Sequence, residues 1–283
     1  MVAEDFLAEM AHSSAQRSRA AQRMLPLADL EQRVRARLAV GERPRPLSLS
    51  PDGFDVIAEV KFSSPSAGKL AATASPAEAA QRARDYAAAG ACAISVLTEP
   101  RHFRGSLDHL RAVAAAVDVP VMRKDFLVDP YQVWEAREAG ASGVLLIARI
   151  LDDRSLAQMV QAAHAAGMFV LLEAFDKEDL ERTSILLDEN DAWFGTLLVG
   201  VNGRDLATLE VDPDRHLELA PSLPWGIPAV AESGLADAFD AARARRAGYE
   251  LALVGTALMR AADPWEVVGA MRTAGAEAQR ARE

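Results

Sequence analysis

The chain has 283 residues, of which 50% are hydrophobic and 25% charged, values typical of a globular protein with one barrel-sized domain or two smaller ones. Its formal net charge of −10 argues against nucleic acid or an anionic membrane as a partner, and no apolar run approaches the roughly 20 residues of a membrane span. A single cysteine, Cys92, excludes an intramolecular disulfide framework, and the acidic first residues lack the pattern of a signal peptide, so we expect a cytoplasmic enzyme.

Residues 1–50 precede the regular part of the chain. Residues 6–38 have the spacing of one or two amphipathic helices, and residues 41–53 are rich in Pro, Gly and Ser, which is typical of a linker. We therefore divide the chain into an N-terminal helical arm with its linker, residues 1–50, and a main domain, residues 51–283. Packing of the arm on the main domain and a role as a lid over its binding site both remain open.

Eight short apolar runs follow at regular intervals. Each run is bounded by turn residues and has the continuous apolar character of a strand that is covered on both faces. The runs are residues 54–62, 91–99, 119–125, 143–150, 168–175, 196–202, 227–233 and 251–257.

The stretches between these runs carry helix signals. Residues 75–78, 129–132 and 263–266 each place Ser or Asp at the cap, Pro at the first helical position, and Glu or Gln where its side chain can reach back to the cap. A glycine marks a helix end shortly before the next run at Gly90, Gly140, Gly167 and Gly248. Alternating strands and helices predict a parallel sheet.

Eight strand–helix units predict an α/β protein with a closed (β/α)8 TIM barrel and an N-terminal helical extension. An open doubly wound sheet is the alternative, and it is expected to carry a glycine-rich phosphate turn after its first strand. Residues 60–68, VKFSSPSAG, do not match that turn. The sequence therefore favours the barrel, which we assign to residues 51–283.

Polar side chains stand at the carboxyl ends of most runs, where a barrel of this type has its active site. Glu59 and Lys61 are two residues apart, so they face the same way, and an inward Glu–Lys pair is costly unless each group has a partner. The remaining polar groups at strand ends are Lys124, Glu173, Asn202, Arg204, Glu232 and Ser233. We expect these side chains to meet around one mouth of the barrel.

Small residues follow the last two runs. Gly234 comes directly after Ser233, and Gly255 with Thr256 ends the eighth run. Small residues let backbone N–H groups approach a ligand, and barrels of this class often bind phosphate in the loops after strands seven and eight. The sequence thus indicates a phosphate site at these residues.

Several motifs together resemble the indole-3-glycerol phosphate synthases. They include RKDF at residues 123–126, GVNGRDL at residues 200–206 and VAESGL at residues 230–235, and the resemblance covers about residues 54–265 in family order. It implies conversion of 1-(2-carboxyphenylamino)-1-deoxyribulose 5-phosphate to indole-3-glycerol phosphate, with loss of carbon dioxide and water. It also implies a phosphorylated small-molecule substrate, no cofactor and no metal, and a monomer with possible contacts to other enzymes of its pathway.

The resemblance also implies roles for individual residues. Lys124 corresponds to the general acid, Glu173 to the general base, and Lys61 to a lysine that binds the carboxylate and phosphate and serves as a second acid. Further catalytic positions are Glu59, Asn202 and Ser233. The substrate positions are Ser64, Phe103, Phe126, Leu145, Arg204, Leu206 and Glu232. The phosphate positions are Lys61, Ser233, Gly234, Gly255 and Thr256.

Departures from the family pattern concern the first loop and one pocket position. Phe62, Ser63 and Ala67 make the loop after the first run less basic than is usual, and Gly203 stands where Asn or Ser is common. The stretch between Glu173 and Asn202 is longer than expected by roughly eight residues, and such length is tolerated at the face away from the chemistry.

Two other functions remain open. One is a paralogue with a shifted substrate, or another phosphosugar-binding barrel isomerase. Phosphoribosylanthranilate isomerase is expected to pair a cysteine of the first strand with an aspartate, whereas this chain has Glu59 and Lys61 there. The other is a catalytically silent partner subunit, which would not need Lys61, Lys124 and Glu173. The five histidines lack metal-ligand spacing such as H-E-x-x-H.

Overall fold

A computed structural model gives the fold. It describes residues 3–51, 53–66, 68–71, 73–188, 193, 195–204 and 210–280. The barrel strands are β1 (Asp55–Val60), β2 (Ala93–Leu97), β3 (Val121–Lys124), β4 (Gly143–Ile147), β5 (Phe169–Ala174), β6 (Leu197–Asn202), β7 (Ala229–Glu232) and β8 (Leu251–Val254).

These eight parallel strands form a closed barrel, which confirms the predicted (β/α)8 fold and excludes the open doubly wound sheet. Each strand pairs with the next one along the chain, and β8 closes the barrel on β1, with Asp55 opposite Leu251. A short antiparallel hairpin, Ser63–Ser64 with Gly68–Lys69, lies in the loop after β1. The fourth predicted run is a strand only as far as Ile147, because Ala148–Ile150 form a 3-10 turn.

The alternation of side chains explains why polar groups can end strands that are otherwise apolar. On β1, Ile57 belongs to the cluster inside the barrel, whereas Val56 and Ala58 belong to the cluster between the strands and the helices. Glu59 follows Ile57 on the inner side, and Glu173 follows Leu171 in the same way. The inner apolar layer includes Ile57, Met122, Leu145, Leu171, Leu198, Val230 and Leu253. The polar ends of the strands stand above this layer.

The described residues form eleven α-helices. Two of them, α1 (Ala3–Met24) and α2 (Leu27–Ala39), precede the barrel. The others are α3 (Pro76–Ala88), α4 (Leu107–Ala116), α5 (Pro130–Glu138), α6 (Asp153–Ala165), α7 (Lys177–Asp188), α8 (Arg215–Leu219), α9 (Ala238–Ala247), α10 (Thr256–Arg260) and α11 (Pro264–Arg280). None of the helices in the described part of the chain is long and apolar enough to cross a membrane.

The helix caps follow the prediction in part. Ser75 Oγ accepts a hydrogen bond from Glu78 N at 3.1 Å, and Asp129 Oδ1 accepts one from Tyr131 N at 2.9 Å. The prediction that the side chain at the third helical position bonds back to the cap residue is wrong for Gln132. Its Oε1 accepts a hydrogen bond from Val128 N, and its Nε2 donates one to Ser14 Oγ of α1. The predicted helix ends are confirmed, since Gly90, Gly140, Gly167 and Gly248 all have positive φ.

The arm packs on the outside of the barrel and also reaches its mouth. Leu30 and Val34 of α2 are buried in the cluster between strands and helices. Near the start of α1, Leu7 is buried in the cluster inside the barrel. The long stretch between α7 and β6 precedes the start of β6 at Leu197. Its Trp193 is buried, and residues 189–192 and 194 lie outside the described residues.

Candidate active site

A cavity of about 620 Å³ opens at the carboxyl ends of the barrel strands. Every predicted site residue in the described part of the chain lines this cavity, whereas Leu206 lies outside the described residues. The lining residues that the sequence predicted are Glu59, Lys61, Ser64, Phe103, Lys124, Phe126, Leu145, Glu173, Asn202, Arg204, Glu232, Ser233, Gly234, Gly255 and Thr256. Barrel closure thus brings together groups that are almost 200 residues apart along the chain.

Lys124 lies between two carboxyl groups in this cavity. Its Nζ is 2.8 Å from Glu173 Oε2 and 3.2 Å from Glu232 Oε2. Asn202 Nδ2 donates to the other oxygen of Glu173 at 2.8 Å. These four side chains come from β3, β5, β6 and β7, and their contacts fix the orientation of the Glu173 carboxylate.

The protonation of this group follows from burial and charge. Burial lowers the pKa of the Lys124 ammonium, but the charges of Glu173 and Glu232 outweigh it, and the net pKa is raised. Burial raises the pKa of Glu232 to about 8, although Lys124 opposes the shift. Glu232 Oε1 is buried without a hydrogen-bond partner among the described residues. Lys124 is therefore charged at neutral pH, and the raised pKa of Glu232 favours the protonated form of that carboxyl group.

Two glycines make room for the charged side chains. A Cβ at Gly255 would overlap Glu59 Oε1 and lie 2.9 Å from Lys61 Nζ, and one at Gly200 would overlap Glu232 Oε1. Glu59 and Lys61 form an ion pair at 2.8 Å, so the costly inward pair has its partner. Gly200 was not predicted as a site residue, although a glycine inside a buried strand often marks a close approach.

The loop after β7 has an unusual backbone next to these groups. Ser233 has φ +63° and Gly234 has φ +81°, so two consecutive residues adopt the left-handed region. A Cβ at Gly234 would lie 2.6 Å from Val211 Cγ1, which explains the need for glycine there. Gly255 and Thr256 lie on the adjacent strand end, so the predicted phosphate residues share one side of the cavity.

Aromatic side chains form another wall of the cavity. The ring centroids of Phe103 and Phe126 are 6.2 Å apart, and that of Phe6 is 6.0 Å from Phe126. Phe6 and Leu7 come from α1 and were not predicted as site residues, and Phe175 and Arg260 also line the cavity without having been predicted. The sequence left open whether the arm packs on the barrel or covers its binding site. In the structure, α1 covers part of the mouth.

An ion pair fixes α1 beside the catalytic lysine candidate. Both terminal nitrogens of Arg17 donate to the carboxylate of Asp125, at 2.9 and 2.7 Å. Asp125 is buried and also accepts from Thr98 Oγ1 at 2.7 Å and from Arg123 at 3.2 Å. The pKa of Asp125 is lowered to about 2, because the contacts to the two arginines outweigh the effect of burial.

The departures from the family pattern have structural reasons. Phe62 is buried, and its ring centroid lies 5.0 Å from that of His109, so this position contributes to packing. Lys69 stands opposite Ser63 in the hairpin and supplies a positive charge to this loop. Ala67 lies outside the described residues.

Gly203 accommodates a buried histidine. A Cβ at Gly203 would lie 2.9 Å from His216 Cε1, so the ring of His216 occupies the space of a larger side chain. His216 Nε2 lies 3.2 Å from Val201 O and 3.1 Å from Glu232 O, and it must carry the hydrogen because both partners are acceptors. Glu232 O also accepts from Gly203 N at 2.7 Å. This arrangement connects the ends of β6 and β7 behind the cavity.

Comparisons with known proteins agree with this architecture. The family description "Indole-3-glycerol phosphate synthase" matches residues 7–271. A relative of that name from Beutenbergia cavernae is 43% identical over 275 residues, which are 97% of this chain and 96% of the relative. One from Mycobacterium avium (strain 104) is 44% identical over 241 residues, which are 84% and 85% of the two chains.

Solved structures with lower identity share the fold. The 3-hexulose-6-phosphate synthase of Salmonella typhimurium has a TM-score of 0.62 and 17% identity, covering 81% of this chain and all of that one. A dihydropteroate synthase of Yersinia pestis has a TM-score of 0.61 and 18% identity, covering 85% and 98%. At such identities the likeness concerns the barrel alone.

Proposed function

The chain belongs to the indole-3-glycerol phosphate synthase family, and from this premise we propose how the residues of the mouth divide the reaction. The enzyme is a carboxy-lyase of tryptophan biosynthesis that acts on a phosphorylated small molecule. It converts 1-(2-carboxyphenylamino)-1-deoxyribulose 5-phosphate to indole-3-glycerol phosphate, carbon dioxide and water. Ring closure needs a proton donor at the carbonyl oxygen, and the later dehydration needs an acid and a base.

Lys124 is the general acid of ring closure in this proposal. The observation that carries it is the position of Nζ, 2.8 Å from Glu173 inside the cavity, where the ammonium remains protonated. The raised pKa of Lys124 is compatible with the role, because the alkoxide that forms on the carbonyl oxygen is a stronger base than an amine. The donor thus keeps its proton until the new carbon–carbon bond generates that base.

Glu173 is the general base, and its geometry supports this role. One carboxylate oxygen accepts from Lys124 and the other from Asn202, so the group is held in one orientation while it remains an acceptor. During dehydration, Glu173 takes a proton from the condensed ring intermediate, and Lys61 gives the proton with which the hydroxyl leaves as water. The two protons therefore travel through separate groups.

The anionic ends of the substrate have separate partners. Lys61 and Ser64, on the first loop, bind the carboxylate, and Lys61 also faces the phosphate. The 2.8 Å ion pair with Glu59 supports this assignment because it holds the Lys61 ammonium at the mouth. Ser233, Gly234, Gly255 and Thr256 bind the phosphate. Their support is the pair of left-handed residues after β7 and the ammonium of Lys61, which would lie 2.9 Å from a Cβ at Gly255.

The rest of the pocket shapes the site around the aromatic ring. Phe103, Phe126 and Leu145 form the apolar wall, and we keep Leu206 in this wall as a proposal from the family motif. Arg204 and Glu232 contact the polar part of the substrate. The raised pKa of Glu232 favours its protonated form, which can donate a hydrogen bond to a substrate oxygen.

The molecular organisation is also part of the proposal. Residues 1–50 act as an arm with its linker, and residues 51–283 form the catalytic barrel. The enzyme acts as a monomer in the cytoplasm, with possible contacts to other enzymes of its pathway and with neither nucleic acid nor membrane as a partner. The net charge of −10 supports the last point.

A direct assay tests the roles. The substrate is added to the purified protein, and the indole product is followed by its fluorescence. Wild type and Lys177→Met should turn over alike, because Lys177 is 68% exposed on α7. Lys61→Met and Lys124→Met should each be slower by about 10²-fold or more. Near-normal turnover in either variant would remove that lysine from its role.

A further inference from the structure

A second cleft lies on the face of the barrel opposite the mouth. It has a volume of about 490 Å³ and is formed by the ends of α2, α4 and α5 together with the linker that leads to β1. Five arginines line it, although the chain as a whole is acidic: Arg37, Arg43, Arg45, Arg111 and Arg137. None of the residues that line the mouth lines this cleft, within the described residues.

Arg137 is the most buried of these arginines. Only 6% of the residue is exposed, and its one hydrogen bond runs from Nη2 to the backbone oxygen of Glu42 at 2.5 Å. Its Nε is buried without a partner in the described part of the chain. Burial lowers the pKa of Arg137 and the nearby charge of Arg37 lowers it further, whereas the charges of Glu42 and Glu138 only partly oppose the shift. A buried cation without an ion pair is costly, so the surroundings of Arg137 favour an anion.

The carboxylates of the cleft act on Arg137 from a distance but form no ion pair with it among the described residues. Glu42 and Glu138 also line the cleft, but both pair with Arg37, at 2.7 and 3.2 Å. Arg45 lies 3.6 Å from the exposed Asp118. Among the described residues, Arg43 and Arg137 have no carboxylate partner within ion-pair distance. Two arginines of the cleft, one buried and one exposed, therefore have no ion pair in the described part of the chain.

We propose that this cleft is an anion site for a phosphate dianion, either free or as the phosphoryl group of a small metabolite, bound by Arg137 and Arg43. Two arginines without ion pairs match the charge of about −2 that a phosphate group carries near neutral pH. Guanidinium groups present several N–H donors in a planar fork, which suits phosphate oxygens.

The bound phosphate would connect two separate parts of the chain. Arg43 belongs to the linker between α2 and β1, whereas Arg137 lies on α5. The linker is already fixed to the barrel by Arg45, whose Nη1 donates to Ala114 O at 3.1 Å and whose backbone N donates to Ser142 Oγ at 3.1 Å. A shared anion would add a contact between the linker and α5 at the point where the linker leaves the arm.

Equilibrium dialysis with labelled inorganic phosphate tests the site. We compare wild type with Arg137→Gln and Arg43→Gln. The control is Arg246→Gln, which removes the same charge at an exposed position of α9. Phosphate bound at the mouth is common to all four proteins and cancels in the comparison. Arg137→Gln and Arg43→Gln should weaken one class of site by about 10-fold or more, and Arg246→Gln should leave binding unchanged.

Two further measurements complete the experiment. Circular dichroism checks the fold of Arg137→Gln. If Arg137→Gln unfolds, Arg43→Gln still tests the site, because Arg43 is exposed and its replacement leaves the fold intact. In a second series, glycerol 3-phosphate replaces inorganic phosphate. Tighter binding of inorganic phosphate identifies free phosphate as the ligand, and tighter binding of glycerol 3-phosphate identifies the phosphoryl group of a small metabolite. Equal phosphate binding by wild type, Arg43→Gln and folded Arg137→Gln would overturn the proposal.

Discussion

Replacing Lys124 with Met removes the ammonium between Glu173 and Glu232 while keeping a side chain of similar length. The Lys124 side chain is 17% exposed and that of Glu173 is 3% exposed, so the pair is largely buried. Removing one partner of a buried ion pair costs about 3–5 kcal/mol of folding free energy. We expect about 3 kcal/mol at pH 8, because the partly accessible lysine places the pair at the lower end of that range.

The loss of stability should depend on pH. Lys124 opposes the rise in the pKa of Glu232, so its removal raises that pKa further, and at pH 6 this carboxyl group is protonated with or without the lysine. The destabilisation at pH 6 is therefore smaller than at pH 8. The double variant Lys124→Met/Glu173→Gln carries neither charge, so it should regain most of the stability. It should not regain turnover, because the proton donor and the base are both absent.

Urea unfolding, followed by circular dichroism at pH 6 and pH 8, measures the stability. Single-turnover conversion, followed by indole fluorescence, measures the chemistry, and we expect Lys124→Met to be about 10³-fold slower. The exposed Lys177→Met should change stability by less than about 0.5 kcal/mol. Wild-type stability of Lys124→Met at pH 8 would refute the energetic reasoning, and rapid single turnover would refute the acid role.

Other substitutions separate the remaining groups. Glu173→Gln should lower kcat by about 10²-fold, and an unchanged kcat in steady-state assays would contradict its role as base. The raised pKa of Glu232, about 8, means that wild type loses stability as pH rises from the ordinary carboxyl range through 8. Glu232→Gln should therefore be more thermally stable than wild type at pH 9 but not at pH 5. Equal gains at the two pH values would exclude ionisation of Glu232 as the cause. Gly203→Ala adds a methyl group 2.9 Å from His216, so unfolding measurements should show a loss of about 1–3 kcal/mol, smaller in a His216→Ala background. An equal loss in both backgrounds would rule out the steric explanation.

The sequence was sufficient to predict the fold and most of the polar residues at the mouth of the barrel. Eight apolar runs predicted the number of strands, side-chain alternation predicted that Glu59 and Lys61 face the same way, and the position of Glu173 at a strand end predicted its place at the mouth. These predictions depend on local periodicity and on a general property of barrels, so they require no knowledge of long-range packing.

Contacts between distant segments could not be predicted in this way. The amphipathic pattern of α1 shows that one face is buried but not against which surface, so the positions of Phe6 and Leu7 in the cavity wall were missed. Gln132 has the local pattern of a capping residue, yet a tertiary partner, Ser14, takes its side chain. His216 was missed for a related reason, because only the fold brings it against Gly203.

The ion pair between Arg17 and Asp125 also bears on how the enzyme would lose its activity. Asp125 directly follows Lys124, so α1 is attached to the strand end that carries the proposed proton donor. Helices at the edge of a fold can detach in partial openings that need less free energy than global unfolding. Release of α1 would remove one wall of the cavity while the barrel hydrogen bonds persist. Inactivation and denaturation are then separate events, and residual secondary structure would overstate the fraction of working enzyme.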